Sequence, residues 1–425
     1  MSFGDVESMI ECIFLVNHLP GGRGHHDGHM KGRDVDRVLS NPMLQINTRE
    51  RRALSGLRRR SKRTVITKAR PQSGTPNLRL PLSLKKRVKL KGIGEEDSAR
   101  AGSEAGYAII AKRYPEKVFV VSCDLDPSTK LAKARSYLAK DHQFEMSIEE
   151  QAATLMTDGL AMSGSEPQLN VVSTFAAFFE GIAREGFDLW RYQRNLNGVN
   201  EGLNVTFHIS HVGACTGRDH FSGWGLDWIN VGLTCLPYLH RFYAPSDARS
   251  AFIATCDLAE HYGGHVIGIP RDNLPILSKQ DGSGPLWETT DTWESITEYR
   301  KFKGAKRAIL ALGAPAFLAG DAVRGLGDVD VHIVNGFPVN PKSLSSLIAR
   351  YPKGVVTIED GFIGTAETGL RGFAALIAGM ASEVGCSVGH LGITDPRMAP
   401  SDGHMETWEH FGMTKNNLMR AIEDL

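Results

Sequence analysis

Two adjacent carboxylates, Glu149 and Glu150, open the helix-like part of FEMSIEEQAATLMTDGLAMSG at residues 144–164. Such a pair at a helix start either caps free backbone N–H groups or moves protons. Ser147 with Glu150 three residues on fits the capping box, which leaves both uses open. Other polar groups follow apolar runs: Asp124 and Ser128 in SCDLDPSTKL, His211, Asp219 and His220 in SHVGACTGRDH, and Arg271 in IPRDNLP. Glycines in the second of these let backbone approach a ligand closely, and a guanidinium at a strand end grips phosphate bidentately. Phe175, Phe178 and Phe179 in TFAAFF suit a core or the face of a flat heterocycle. Neither a Walker loop nor GxGxxG is present.

The elements that must position these residues alternate in type. SARAGSEAGYAIIAKRY reads as a helix, VFVVSCD as a buried strand, the Glu150 segment as a helix with Ile148, Ala152, Leu155, Met156 and Leu160 at helical spacing, and LNVVSTF as a strand. NVTFHIS, AFIATCDLAEHY and HVIGIP continue as strand, helix and strand. That pattern predicts a mostly parallel sheet covered by helices on both faces. After a polar crossing at 278–299, AILALG, VDVHIVNG, GVVTIED and SVGHLGIT predict a second, smaller α/β domain over 300–425, the first being 95–277. Ligand groups in such sheets collect at the carboxyl ends of strands, where the polar residues named above fall.

Bulk properties narrow the function. The 425 residues are 41% hydrophobic and 23% charged with net charge +1, ordinary for a globular protein of two or three domains. Cys12, Cys123, Cys215, Cys235, Cys256 and Cys386 form no CxxC pair, which favours reduced, buried thiols and a cytoplasmic protein. No apolar run is long enough for a membrane span. Residues 1–94 read as a basic, poorly ordered extension: sixteen Lys or Arg lie between Arg49 and Lys91 with one acid, Glu50. The absence of aromatic residues there weighs against nucleic acid and for a linker or subunit-docking arm. His25, His26 and His29 sit in a glycine-rich stretch with no second ligand cluster, against metal binding.

Taken in order, the segments resemble the second half of a thiamine-diphosphate enzyme of the transketolase family, across residues 95–425. SIEEQ is similar to its G-I-R-E-H, SCDLDPSTKL to S-A-D-L-T-x-S-N-L, STFAAF to G-T-F-L-x-F, SHVGACTGRDH to T-H-D-S-x-x-x-G-E-D-G, and PRDNLP to S-R-Q-N-L-P. The resemblance implies an α/β chain with a pyrimidine-binding parallel-sheet domain followed by the smaller transketolase C-terminal α/β domain. It makes Glu150 the glutamate that hydrogen-bonds N1′ of the cofactor's aminopyrimidine, favouring an imino tautomer that takes the thiazolium C2 proton, so that the cofactor acts as electron sink. It implies Phe175 and Phe178 packing on the pyrimidine with Asp124 nearby, His211 in catalysis, and His211 with Asp219 on donor hydroxyls. Arg100, Ser128 and Arg271 would hold a sugar phosphate, which favours a transketolase over 2-oxoacid dehydrogenase subunits.

Departures qualify the resemblance. The family's N-terminal domain, which binds the diphosphate through Mg²⁺, has no counterpart in residues 1–94, and GDVDVHIVNG lies in the other domain. The expectation is a split enzyme: a separate N-terminal-half subunit supplies the Mg²⁺ and diphosphate site in a heterotetramer, with self-association across the pyrimidine and C-terminal domains. FSGWG with Trp224 replaces G-P-T-H-Q, and Gly181 stands where a third aromatic is expected. These changes leave the sugar open and keep two alternatives, a dehydrogenase-β-like or deoxyxylulose-phosphate-synthase-like subunit acting on a 2-oxoacid, and a non-catalytic regulatory subunit.

Overall fold

A computed structural model describes residues 71–163, 167–192, 202–214, 225–397 and 403–425, with Thr48 and Arg52 as isolated positions. Strands in chain order are β1 (Glu96–Ser98), β2 (Val118–Ser122), β3 (Gln143–Glu145), β4 (Leu169–Phe175), β5 (Thr206–Ser210), β6 (Arg241–Tyr243), β7 (His265–Ile269) and β8 (Asn273–Pro275). They continue with β9 (Ile296–Arg300), β10 (Arg307–Leu312), β11 (Val329–Val334), β12 (Gly336–Phe337), β13 (Gly354–Phe362) and β14 (Val388–Ile393).

β4, β5 and β7 are buried along their whole length because their residues are apolar or paired on both faces, as the central strands of a covered parallel sheet must be. They lie inside a seven-stranded sheet of order β12-β6-β7-β5-β4-β2-β3, parallel except for β12. Register pairs Ser122 with Ser173, Phe175 with Ser210, and Ser210 with Ile269. The carboxyl ends of four strands therefore form one row. A second sheet, β14-β13-β10-β11-β9, is parallel except for β9. The α/β architecture agrees with the sequence reading. The extra strand β9 occupies part of the stretch expected as a crossing, because its Ile296–Arg300 backbone completes an edge against β11.

Helix Ala99–Arg113 starts at Ser98, whose hydroxyl accepts the Arg100 N–H at 3.3 Å. It crosses helix Ala248–Glu260 closely: a Cβ on Gly102 would lie 1.7 Å from the Ala248 carbonyl oxygen. Helix Ala248–Glu260 is held at its start by a capping box of Asp247 and Ser250.

Two expectations are corrected. Residues 71–94 belong to the folded body: Pro76 bridges His261, Leu78 and Leu80 are buried, and Lys85 pairs with Glu260 at 2.9 Å. The loose extension read from charge overlooked the apolar alternation around Leu78 and Leu80. The expected apolar stripe of helix Glu150–Ser163 is not its buried face: Ala152, Met156 and Leu160 are only half-buried. Ile148 is 70% and Leu155 41% exposed, while Ala153, Thr154, Thr157, Asp158 and Ala161 are buried. Small side chains win the inner face because the helix packs tightly on β4 and on helix Arg184–Tyr192, where a Cβ on Gly186 would lie 2.8 Å from Thr154 Cβ.

Candidate active site

Arg100 is the hub. Its position in the first turn of its helix, beside the Ser98 cap, fixes the start of the side chain, and its donors then spread over three elements. Nε donates to Ser98 Oγ at 3.1 Å, and Nη1 donates to the Ser128 carbonyl at 2.8 Å. Ser98 Oγ donates to the Arg271 carbonyl at 2.7 Å. Nη1 also lies 3.3 Å from His211 Nε2. A guanidinium only donates, so Nε2 accepts and the imidazole is neutral with its proton on Nδ1. The strand-end residues Ser128, His211 and Arg271 thus meet around one arginine.

Glu150 begins its helix, and the capping box does not form. Ser147 adopts the left-handed region at φ +56° and gives its N–H to Glu145 Oε1 at 3.2 Å instead. Glu150 is 1% exposed, its Oε1 accepts Thr174 Oγ1 at 3.3 Å, and its Oε2 is buried with no hydrogen-bond partner. Burial is the main cause that holds this carboxyl above the ordinary carboxylate range. The Cys123 thiol is close enough to feel the Glu150 charge, and burial first, then that charge, pushes it up to about 12.

Thr174 leads directly into Phe175. The His211 ring stacks on Phe175 with centroids 3.9 Å apart, and Phe178 stacks at 5.9 Å. His211 takes a left-handed backbone at φ +60°, which turns the chain sharply after β5 and lays its ring along the strand ends. Phe175 is buried and Phe178 half-buried, so accessible ring surface belongs to Phe178.

No protein-family model matches the chain. Among curated proteins, 1-deoxy-D-xylulose-5-phosphate synthase of Macrococcus caseolyticus is 26% identical over 306 residues, 70% of this chain and 44% of that protein. The same enzyme of Halalkalibacterium halodurans is 24% identical over 330 residues, 74% of this chain and 47% of that protein. The chain spans less than half the length of these relatives. Among solved structures, a split-gene transketolase described as an inactive beta4 tetramer superposes with TM-score 0.59 and 22% identity, over 77% of this chain and 97% of that chain. A Pichia stipitis transketolase superposes with TM-score 0.62 and 18% identity, over 81% of this chain and 48% of that one. The chain has the fold of the C-terminal half of a transketolase.

Within this transketolase fold the remaining candidates divide. Asp124 is exposed, with φ +59°, and its N–H donates to Glu145 Oε1 at 2.6 Å. Its neighbour Asp126 is buried against Arg135. Asp219, His220 and Trp224 lie outside the described residues. Sequence reasoning marked Thr174, which orients Glu150, only as the start of the stretch after a strand and gave it no role, and it passed over Ser98, which ties Arg100 to the Arg271 backbone. Ser98 was findable as a serine preceding a helical run. The role of Thr174 carried no such mark, since a threonine in a strand is ordinary.

Proposed function

We propose that the chain is the pyrimidine-binding and C-terminal half of a split, thiamine-diphosphate-dependent transketolase. It moves a two-carbon ketol unit from a ketose, in its phosphorylated form, to an aldose. A separate N-terminal-half subunit holds the Mg²⁺ and the diphosphate. The observation that carries this reading is the buried, unpartnered Oε2 of Glu150. A buried acceptor without a donor is costly, and a ring nitrogen able to share a proton would satisfy it. The raised pKa of Glu150 suits that sharing, and half-buried Phe178, stacked on the Phe175 that follows Thr174, offers a flat ring surface, so these residues fit the aminopyrimidine end of the cofactor.

When bound, the cofactor supplies the electron sink for breaking the C–C bond beside a ketose carbonyl. The protein's part is to hold and exclude. Glu150 presents a desolvated carboxyl, positioned by Thr174, whose hold on a proton is raised by burial. Arg100, with Ser128 and Arg271 alongside, faces a phosphate with donors in a planar fork. His211, a neutral imidazole accepting from Arg100, keeps its Nδ1 proton and reaches a donor hydroxyl or carbonyl only through a local rearrangement of its stack on Phe175. Asp124 and Asp219 complete the proposed cofactor and hydroxyl contacts.

The outward apolar residues Ile148, Leu155, Met162, Ile182 and Leu189 lie on the Glu150 helix, on the neighbouring helix Arg184–Tyr192 and beside them. Exposed large apolar side chains on neighbouring elements support burial against another subunit in a cytoplasmic assembly. Similarity over nearly the whole of a split-gene chain, 97%, supports a half-length subunit.

The curated relatives favour a second reading, a 2-oxoacid donor in place of a ketose. One experiment tests both. The chain is co-purified with a co-expressed diphosphate-binding half, thiamine diphosphate and Mg²⁺, examined by native mass spectrometry, and assayed for ketose consumption and for CO₂ release from pyruvate. A two-chain complex with cofactor, consuming ketose and losing that activity in E150Q, is the expected result. CO₂ release without ketose consumption selects the second reading. A cofactor-free homodimer inactive in both assays overturns both and leaves a regulatory subunit.

A further inference from the structure

The second sheet reaches into the site through one side chain. Asp360, near the carboxyl end of β13 and 3% exposed, accepts the Ala214 N–H on Oδ1 at 2.8 Å. Ala214 ends the short described run after β5 that begins with His211. Between them Gly213 has φ +68°, and a Cβ there would lie 2.4 Å from Asp360 Cγ, so the carboxylate and the glycine backbone are in direct apposition. The other stem of the same loop converges on the same strand. The Gly213 N–H donates to the Gly225 carbonyl at 2.7 Å, the Phe362 N–H to the Leu226 carbonyl at 2.7 Å, and Trp228 Nε1 to the Asp360 carbonyl at 3.0 Å.

The seven-stranded sheet alone supplies a weaker hold. The Val212 N–H reaches the Ile269 carbonyl at 3.3 Å. His211 itself is in a left-handed backbone conformation that a non-glycine residue keeps only when its surroundings enforce it. The side-chain acceptor two residues past Val212 is the strongest of these restraints, since a charged acceptor on a buried N–H outweighs a neutral one.

We propose that Asp360 is a positioning residue for His211: it fixes the backbone that lays the His211 ring on Phe175 and brings Nε2 to Arg100. The C-terminal sheet thereby sets the geometry of the stem at 211–214 that carries His211. The proposal rests on the function assigned above only where substrate is concerned; the positional link stands by itself.

The test uses the full chain in its complex, labelled with ¹³Cε1-histidine, the His211 resonance being assigned by its loss in H211Q. D360A removes the acceptor and is expected to displace the His211 resonance, whereas D360N keeps an acceptor oxygen and is expected to leave it in place. In the activity assay D360A raises the donor KM by about tenfold with a smaller change in kcat, and adds nothing further in an H211Q background. G213A presses on the same contact from the other side and is expected to displace the same resonance, which covers the case in which D360A does not fold. An unmoved His211 resonance in D360A or G213A overturns the proposal, and so does D360N perturbing it as much as D360A. A displaced resonance in a complex without any transferase activity upholds the positional link and sinks the assigned function.

Discussion

The His211 imidazole lies on the Phe175 ring, planes 16° apart and centroids 3.9 Å apart, and its edge meets Arg100. A strand-end aromatic, a loop histidine and a helix-start arginine are thereby locked as one unit. Phe175 is 3% exposed and Phe178 only half-buried, so truncation separates their roles. F175A should destabilise the fold by about 3–5 kcal/mol. F178A should cost clearly less in the same denaturant titration and act mainly on cofactor affinity. Equal losses in the two variants would contradict the packing described.

Glu150 yields a test of sign. Its carboxyl is held above its ordinary range in the fold, so the folded state binds the proton more tightly than the unfolded chain. Stability from that proton is complete below the unfolded value and is lost as pH rises through the folded one. E150Q has no proton to lose, so its melting temperature should gain on the wild type as pH is raised from 4 to 8. The same variant should lose about 10²- to 10⁴-fold in transfer rate.

Arg100 meets Ser98 through Nε and both Ser128 and His211 through Nη1, a spread that a single ammonium cannot reproduce. R100K should therefore keep the charge but lose the fork. Michaelis constants for a phosphorylated donor should rise by about tenfold or more, with little change for an unphosphorylated one. A uniform rise for both would remove the phosphate from the proposal.

Asp158 is buried on the inner face of the Glu150 helix with neither carboxylate oxygen hydrogen-bonded, and burial holds its pKa well above the usual value. Ionising it inside the fold is unfavourable, so stability falls as pH rises above the ordinary aspartate range. D158N should raise the melting temperature by a few degrees at pH 8 and by less at pH 4.5. Scanning calorimetry at the two values checks the difference; a variant less stable than wild type at pH 8 would mean that the ionised carboxylate is needed.

The sequence by itself determined the strands and what stands at their ends. Runs such as LNVVSTF and HVIGI are apolar on both faces, and only a covered parallel sheet hides both, so the α/β order and the row of strand-end residues were readable locally. Ser128, His211 and Arg271 were picked out because they lie in the loops after such strands, whereas Arg100 came only from the resemblance of ARAGSE to the family's segment. Three other matters were decided by tertiary structure. The inner face of the Glu150 helix is its small and polar side, because closeness to β4 and to the neighbouring helix limits side-chain volume more than hydropathy does. The capping box lost to a competing acceptor, Glu145, on the preceding strand. Finally, the carboxylate that anchors the His211 loop comes from Asp360, 146 residues from Ala214 along the chain. A hydrogen bond leaves no mark in sequence pattern when its partners are joined only by the docking of two sheets.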